Sequence, residues 1–409
     1  MRKIAVIGAG AAGLMAAIKA AENKENSVFV FEKNSRAARK VMITGKGRCN
    51  VTNNTDLHTV MLNVPKNPRF LYSAFSAFSP KDTMDFFENE GVPLKTERGN
   101  RVFPVSDKAV DIVDALVNKA QKSKVKFVFK EVLDIITENG EVKGIVLINN
   151  EEFLCDAIII ATGGVSYPLT GSTGDGYTFA KTAGHTVTEI APSLISLVCH
   201  EGFCSSLAGL SLKNVGLTIF EHDKKKPIFE QMGELLFTHF GISGPLVLSA
   251  SAYMKNPKQR GYYALIDLKP ALSIEQLDNR ILRDFSESNN KDFSNSLNKL
   301  LPKSLIPVII KLSGIETSCK VNQISREQRR QLCFLLKNFK LTITDFGPIE
   351  EAIITRGGVA VKEINPATME SKLVKGLFFA GEVIDVDALT GGFNLQIAFS
   401  TGFVAGKSV

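Results

Sequence analysis

The chain has 409 residues, 44% hydrophobic and 22% charged, with 49 Lys and Arg against 42 Asp and Glu for a formal net charge of +7. That length exceeds the roughly 250 to 300 residues at which single cores stop growing, so two or three domains are expected, and the composition excludes a disordered or collagen-like chain. No apolar run approaches the roughly 18 residues of a membrane span, and six scattered cysteines form no disulfide framework, so no membrane partner and a reducing cytoplasm are expected.

Arg2 and Lys3 precede an apolar run that breaks at Gly8, which reads as a strand, Ile4–Ile7, and not as a secretory signal. The turn Gly8-Ala9-Gly10-Ala11-Ala12-Gly13 follows, then a helix, Leu14 to Ala21, and a second strand, Val28–Phe31, ending at Glu32 and Lys33. In that setting Gly8 permits the tight turn, Gly10 lets backbone approach a pyrophosphate, and Gly13 lets helix and strand pack closely. The helix amides would meet the phosphate charge, and Glu32 would accept hydrogen bonds from an adenosine ribose. Taken alone, this turn suits NAD or FAD. Farther on, Pro80 to Gly91 and Asp107 to Gln121 carry helical spacing, the latter with Val110, Val113, Leu116 and Val117 on one face. Val125–Phe129 and Ala157–Ala161 read as further strands, and the alternation predicts a parallel sheet of the doubly wound, Rossmann-like α/β type. Ala161-Thr162-Gly163-Gly164 closes the last of these strands.

After Pro192 the texture changes. Val215–Phe220 and Tyr262–Leu268, separated by turn residues, predict an antiparallel sheet or barrel, and Lys224-Lys225-Lys226 reads as a solvated hairpin tip. Cys199, His200 and Cys204 lack a second pair of ligands at finger-like spacing, so no metal is expected. Capping boxes at Ser273 with Gln276 and at Ser325 with Gln328 open two helices, the first carrying Leu277, Ile281, Leu282 and Phe285, the second running to Phe334. The polar stretch Ser286 to Ser296 between them reads as an exposed loop. An apolar strand then returns at Phe378–Val383 with Gly381, Glu382 and Asp385 at its end. Thr390-Gly391-Gly392-Phe393-Asn394-Leu395-Gln396 leads into a final helix to about Ala405. The expected organisation is a nucleotide-binding domain from 1–191 and 349–409, an inserted barrel-like domain from 192–271 and 335–348, and a small helical domain at 272–334. Glycine-rich contacts at both chain ends suit an extended FAD better than NAD.

The glycine turn, Ile43 to Asn53 (Ile-Thr-Gly-Lys-Gly-Arg-Cys-Asn-Val-Thr-Asn), Ala161 to Gly164, Gly171 to Gly176, Phe237 to Pro245 and Thr390 to Gln396 together resemble the BaiN/YhiN-like family of bacterial FAD-dependent oxidoreductases, in the family's order and over essentially the whole chain. The resemblance implies FAD held by a domain built from both chain ends, with a β-barrel-like and a helical insert. It implies that Arg39, Lys40, Arg48, Cys49, Asn50 and Thr52 lie along the flavin and that Val132 offers its backbone to adenine. On the residues alone, Gly45 permits close backbone approach, Arg48 suits anionic oxygens, and Asn50 can pair with the polar flavin edge. The chain departs from the family pattern at Phe393, where a Tyr is usual and no phenol can donate a proton, and at Ala38, where Gly is frequent.

No second Gly-x-Gly-x-x-Gly follows a strand, so a nicotinamide would dock only transiently. The resemblance implies either a reductase of activated carbon–carbon double bonds in steroid-like enones or an oxidase of amines such as aminoacetone. The reductase is the favoured reading: NAD(P)H gives hydride to the flavin, which passes it to the β-carbon of a small enone such as a steroid or bile acid. His239 and Tyr167 are the candidate proton donors, each with a competing structural role, and Cys49 is a weaker redox candidate. An RNA-binding flavoprotein, motivated by the net charge, is a third reading, with nucleic acid not expected as a partner. The oligomeric state is left open.

Overall fold

The computed structural model describes residues 1–287 and 290–409. Two compact units make up the chain, one from Met1–Ser193 with Pro348–Val409 and the other from Leu194–Gly347.

The first unit is built on a five-stranded parallel sheet in the order Leu377–Phe379, Ala157–Ile160, Arg2–Ile7, Asn26–Phe31, Lys126–Val128. Its central strands are apolar on both faces; Ile4 to Val6 and Ala157 to Ile160 are fully buried, as a sheet covered by helices on each side requires. One covering layer is a pair of helices from opposite chain ends, Ala11–Ala20 and Phe393–Ser408. Small residues let them touch: a Cβ at Gly402 would lie 2.3 Å from the Ala12 carbonyl oxygen, and one at Gly406 2.2 Å from that of Ala16. Any side chain there would force the helices apart, so these two glycines join the ends of the chain into one domain. Helix Ala109–Lys122 buries Ile112, Val113 and Leu116, whereas Val110, expected on the same face, is 36% exposed. The predicted strand Phe378–Val383 ends at Phe379, because Gly381 (φ +77°) turns the chain into a short 3-10 helix, Gly381–Val383.

The second unit contains a closed barrel of six antiparallel strands, ordered Leu197–Cys199, Gly241–Ser243, Phe229–Thr238, Ser211–Glu221, Tyr262–Asp267, Phe339–Phe346. Alternation sorts its side chains: Leu217 and Ile219 point into the core while Thr218 and Phe220 do not. Helices Ile274–Ser286, Ile306–Ser313 and Arg326–Lys337 share one apolar core with the barrel. Both predicted capping boxes are present, with Ser273 accepting from the Gln276 amide and Ser325 from the Gln328 amide. Leu277, Ile281 and Phe285 are buried as expected, but Leu282 is 41% exposed. Residues 288 and 289 of the predicted loop Ser286 to Ser296 lie outside the described residues, and the rest is not simply exposed: Phe293 is fully buried and Ser296 nearly so. Among the described residues no helix is long and apolar enough to cross a membrane.

Candidate functional site

Loops at the carboxyl ends of the parallel strands converge on a cleft within the first unit, enclosing about 1280 Å³ counted to its open mouth. Such crevices at strand ends are where doubly wound sheets bind ligands. After Ile7 the chain must reverse into helix Ala11–Ala20 in three residues, and its glycines do different things. Gly8 has φ +100°, and a Cβ there would lie 2.6 Å from the Ala161 carbonyl oxygen; a Cβ at Gly13 would lie 1.9 Å from the Gly8 oxygen. At Gly10 an added Cβ meets nothing within 4 Å. The protein's own packing therefore does not need glycine at position 10, whereas a ligand approaching the backbone does. The helix has no side-chain cap and no acid in its first turn, so its free amides open, partially positive, onto a cleft that Gly10, Ala11 and Ala12 line. The arrangement fits a dinucleotide pyrophosphate.

Of the predicted cofactor residues, Gly8, Gly10, Ala12, Glu32, Lys33, Arg39, Lys40, Val132, Ala161, Thr162, Gly163, Gly381, Glu382, Asn394 and Leu395 line this cleft. Glu32 is held in place by the Ala9 amide at 3.0 Å and by the Asn34 backbone and side-chain nitrogens at 2.8 and 2.7 Å. Arg39 donates to Asn34 Oδ1 at 2.7 Å, and Lys33 pairs with Asp175 at 2.5 Å. Lys40 spans the cleft wall, its Nζ 2.8 Å from Glu382 Oε2 and 2.7 Å from Ser166 Oγ. The other Glu382 oxygen accepts from the Thr355 amide at 2.8 Å and from Ser166 at 3.1 Å. The pair is only 23% and 15% exposed, so each charge is kept in a partly desolvated wall by the other. Asn394 pins the preceding loop, accepting from the Ala388 amide and donating to the Ala388 carbonyl, both at 2.8 Å.

The remaining predicted residues lie off the cleft wall. Ala9 and Gly13 sit beneath the turn, and buried Asp385 pairs with Lys66 at 2.6 Å. Gln396 is fully buried, accepting from the Thr52 and Thr83 hydroxyls at 2.6 and 2.9 Å and donating to the Phe78 carbonyl at 3.0 Å and to Ser400 at 2.9 Å. Its side chain, like that of Thr52, fastens the last helix. Gly392 (φ +99°) caps that helix with no room for a Cβ, which would lie 2.3 Å from the Thr52 oxygen, and Phe393 is buried behind it. In the Gly45 loop, Arg48 is committed to Glu97 and Asp107, each at 2.5 Å, and lies over the Phe103 ring at 4.1 Å. Those carboxylates hold its guanidinium even more firmly charged. The Asn50 amide oxygen is enclosed without a protein partner. Cys49 is fully buried, and desolvation pushes its thiol up to about 12, which removes the thiolate that redox chemistry needs. Tyr167 adopts φ +53°, half-buried, its phenol raised by desolvation and then by Glu351. His239 belongs to the second unit, exposed in the turn before Gly241–Ser243. Neither lines the cleft.

Sequence reasoning gave no cofactor role to Asn34, Ser172, Ile353 and Ile354, which also line the cleft. Asn34, two residues beyond the strand-end acid, was the one with a usable signal, since an Asn there can hold the carboxylate it follows. Ile353 and Ile354 carry no local pattern that separates them from core.

The family described as HI0933-like protein Rossmann domain matches residues 2–408. A 3-dehydro-bile acid delta(4,6)-reductase of Clostridium scindens is 30% identical over 100% of this chain and 99% of its own. Ribosomal RNA dihydrouridine synthases of Haemophilus influenzae and Escherichia coli are 32% and 30% identical, each over 99% of this chain and 97% of their own.

Proposed function

The chain belongs to the HI0933-like family of Rossmann-type FAD-dependent oxidoreductases, and on that premise we propose that it saturates a carbon–carbon double bond conjugated to a carbonyl, in a uridine of ribosomal RNA. The observation that carries the reaction is that three relatives matched over their full length are named for reduction of a double bond in different substrates. A 3-oxo steroid with ring unsaturation and a uracil ring both present a double bond whose β-carbon accepts hydride while the α-carbon takes a proton. The balance is substrate plus NAD(P)H plus H⁺ giving the dihydro product plus NAD(P)⁺. Bound FAD supplies the hydride transfer between nicotinamide and substrate.

The chain's own part is to hold and orient. Gly10 and the first helix's amides take the pyrophosphate, Glu32 the adenosine ribose, and the Val132 backbone the adenine. Lys40 and Glu382 fix the wall beside Gly381 and Leu395, at the flavin end. Of the candidate proton donors, Tyr167 lies in the same unit as the cleft but off its wall and His239 lies in the second unit, while Phe393 cannot serve and Cys49 is enclosed. RNA is favoured over a small enone because the relative at 32% identity and another at 30% are named as acting on ribosomal RNA and the chain carries a net charge of +7. The bile-acid reductase, matched over its whole length, favours the second reading, a small polycyclic enone.

The test incubates the FAD-loaded protein anaerobically with NADPH and ribosomal RNA lacking dihydrouridine, or with a 3-oxo-4-ene steroid, and analyses the products by mass. Gain of two hydrogens by a uridine supports the first reading; gain by the steroid alone supports the second. Failure with both, combined with bleaching of the flavin by an amine, would sink the reductase and support an oxidase.

A further inference from the structure

The outer face of the barrel carries an aromatic pair that stands apart from the apolar core. Phe220 and Tyr263 are register partners on adjacent strands, stacked with ring centroids 5.2 Å apart and planes inclined by 11°. Both are partly exposed, and neither packs against the apolar core shared by the barrel and its helices. Such a cross-strand pair supports the sheet, and its outer edge also offers an aromatic surface to a ligand. Cations surround the rings. Lys340 lies over the Tyr263 ring at 5.0 Å, and His222 is beside it at 5.8 Å. Lys224 and Arg260 share Glu221, next to Phe220 in the strand, at 2.6 and 3.1 Å. Lys258 reaches Asp345 in the strand that carries Lys340. Lys225 and Lys226 extend from the same hairpin tip, exposed. The carboxylates Glu201, Glu221, Asp223 and Asp345 are outnumbered by Lys224, Lys225, Lys226, Lys258, Arg260 and Lys340, so the patch is basic. A solvated turn explains the lysines alone, but not lysines gathered around a stacked, partly exposed aromatic pair.

We propose that this barrel face docks single-stranded RNA, Tyr263 and Phe220 stacking on an unpaired base while Lys225, Lys226, Lys340 and Arg260 meet its phosphates. Stacking platforms framed by positive charge are how single strands are held, since every base offers a π-face and every linkage a negative charge. An acidic protein surface would want the cations but not the stack, and an anionic membrane would want longer aliphatic side chains at the tip. The inference rests on the RNA reading of the reaction.

The experiment measures binding of a fluorescent, uridine-containing ribosomal RNA fragment to the FAD-loaded full chain at several salt concentrations, with NADPH-driven flavin reduction recorded in parallel. Tyr263→Ala should weaken RNA binding about tenfold. Lys225→Ala with Lys226→Ala, both solvent-exposed, should lower the salt slope by about 1.4. Flavin reduction should stay as in wild type for both, and circular dichroism reports whether Tyr263→Ala still folds. RNA binding and salt slope unchanged in the lysine variant, with wild type binding RNA, would overturn the docking face and leave the proposed reaction intact. Absence of RNA binding by wild type would overturn both. Loss of binding to phosphatidylglycerol vesicles in the variants, with RNA binding unaffected, would reassign the patch to a membrane surface and also overturn it.

Discussion

Gly10→Ala separates ligand binding from folding. The added methyl meets no protein atom within 4 Å, and the backbone at φ −81° and ψ −171° is open to any residue. The cost to folding is therefore no more than the few tenths to about 1 kcal/mol that distinguish glycine from alanine at a helix N-cap. Pyrophosphate meets a harder limit. An amide donates to oxygen at about 2.9 Å, whereas a methyl carbon holds an oxygen off at roughly 3.5 Å. Displacing one charge-assisted hydrogen bond costs about 1.5 to 3 kcal/mol, so the FAD dissociation constant should rise about tenfold to a hundredfold. Quenching of FAD fluorescence by apoprotein gives that constant, and thermal denaturation of the apoprotein gives the folding term. Gly13→Ala is the contrast: its Cβ would lie 1.9 Å from the Gly8 oxygen, so it should damage the fold itself. If Gly10→Ala binds FAD as tightly as wild type, no phosphate approaches this turn and the placement of the cofactor is wrong.

Replacing Gln396 by Leu strips partners from Thr52, Thr83 and the Phe78 carbonyl in a fully buried site; a loss of about 2 to 4 kcal/mol is expected in urea unfolding. Lys40→Met leaves Glu382 in the cleft wall with only its Ser166 and Thr355 contacts, and should destabilise the chain by about 1 to 3 kcal/mol while weakening FAD. The His185 side chain is fully buried between Ser371, 2.7 Å away, and Glu363, 3.3 Å away, and burial holds its pKa below 6.5. The unfolded chain then binds the extra proton, so this stability is present above the unfolded value and lost as pH falls through it. Urea midpoints should drop as pH falls below 6.5 toward the lowered folded value, and less steeply in His185→Leu. Cys49, enclosed and with its thiol near 12, should resist iodoacetamide in the native protein and react once urea unfolds it; rapid native alkylation, read by peptide mass, contradicts its burial.

The elements most open to sequence reading were those whose pattern is local. The apolar runs at Ile4–Ile7 and Ala157–Ile160, the glycine turn between strand and helix, and both capping boxes follow from short-range sterics and hydrogen bonding, and all are present. Where tertiary packing decides, residue type alone misled. Leu282 and Val110 share a helical face with core residues yet stay exposed, and Phe293 disappears into the core from a stretch that is otherwise polar. The cleft shows the same division. Gly8, Glu32 and Gly381 stand at strand ends where backbone geometry places them, so spacing could find them. Gln396 and Arg48 are drawn away by partners distant in sequence, Thr83 in one case and Glu97 and Asp107 in the other. No periodicity carries such pairings, and neither does it carry Ile353 and Ile354 in the cleft wall.

The central claim is tested most directly by the oxidative half-reaction. Protein reduced anaerobically with NADPH is mixed with ribosomal RNA that lacks dihydrouridine, and the flavin absorption band and the RNA nucleosides are followed together. The band should return without oxygen as dihydrouridine appears in the RNA. A band that stays bleached with RNA and with enone alike, or that NADPH never bleaches while an amine does, would contradict it.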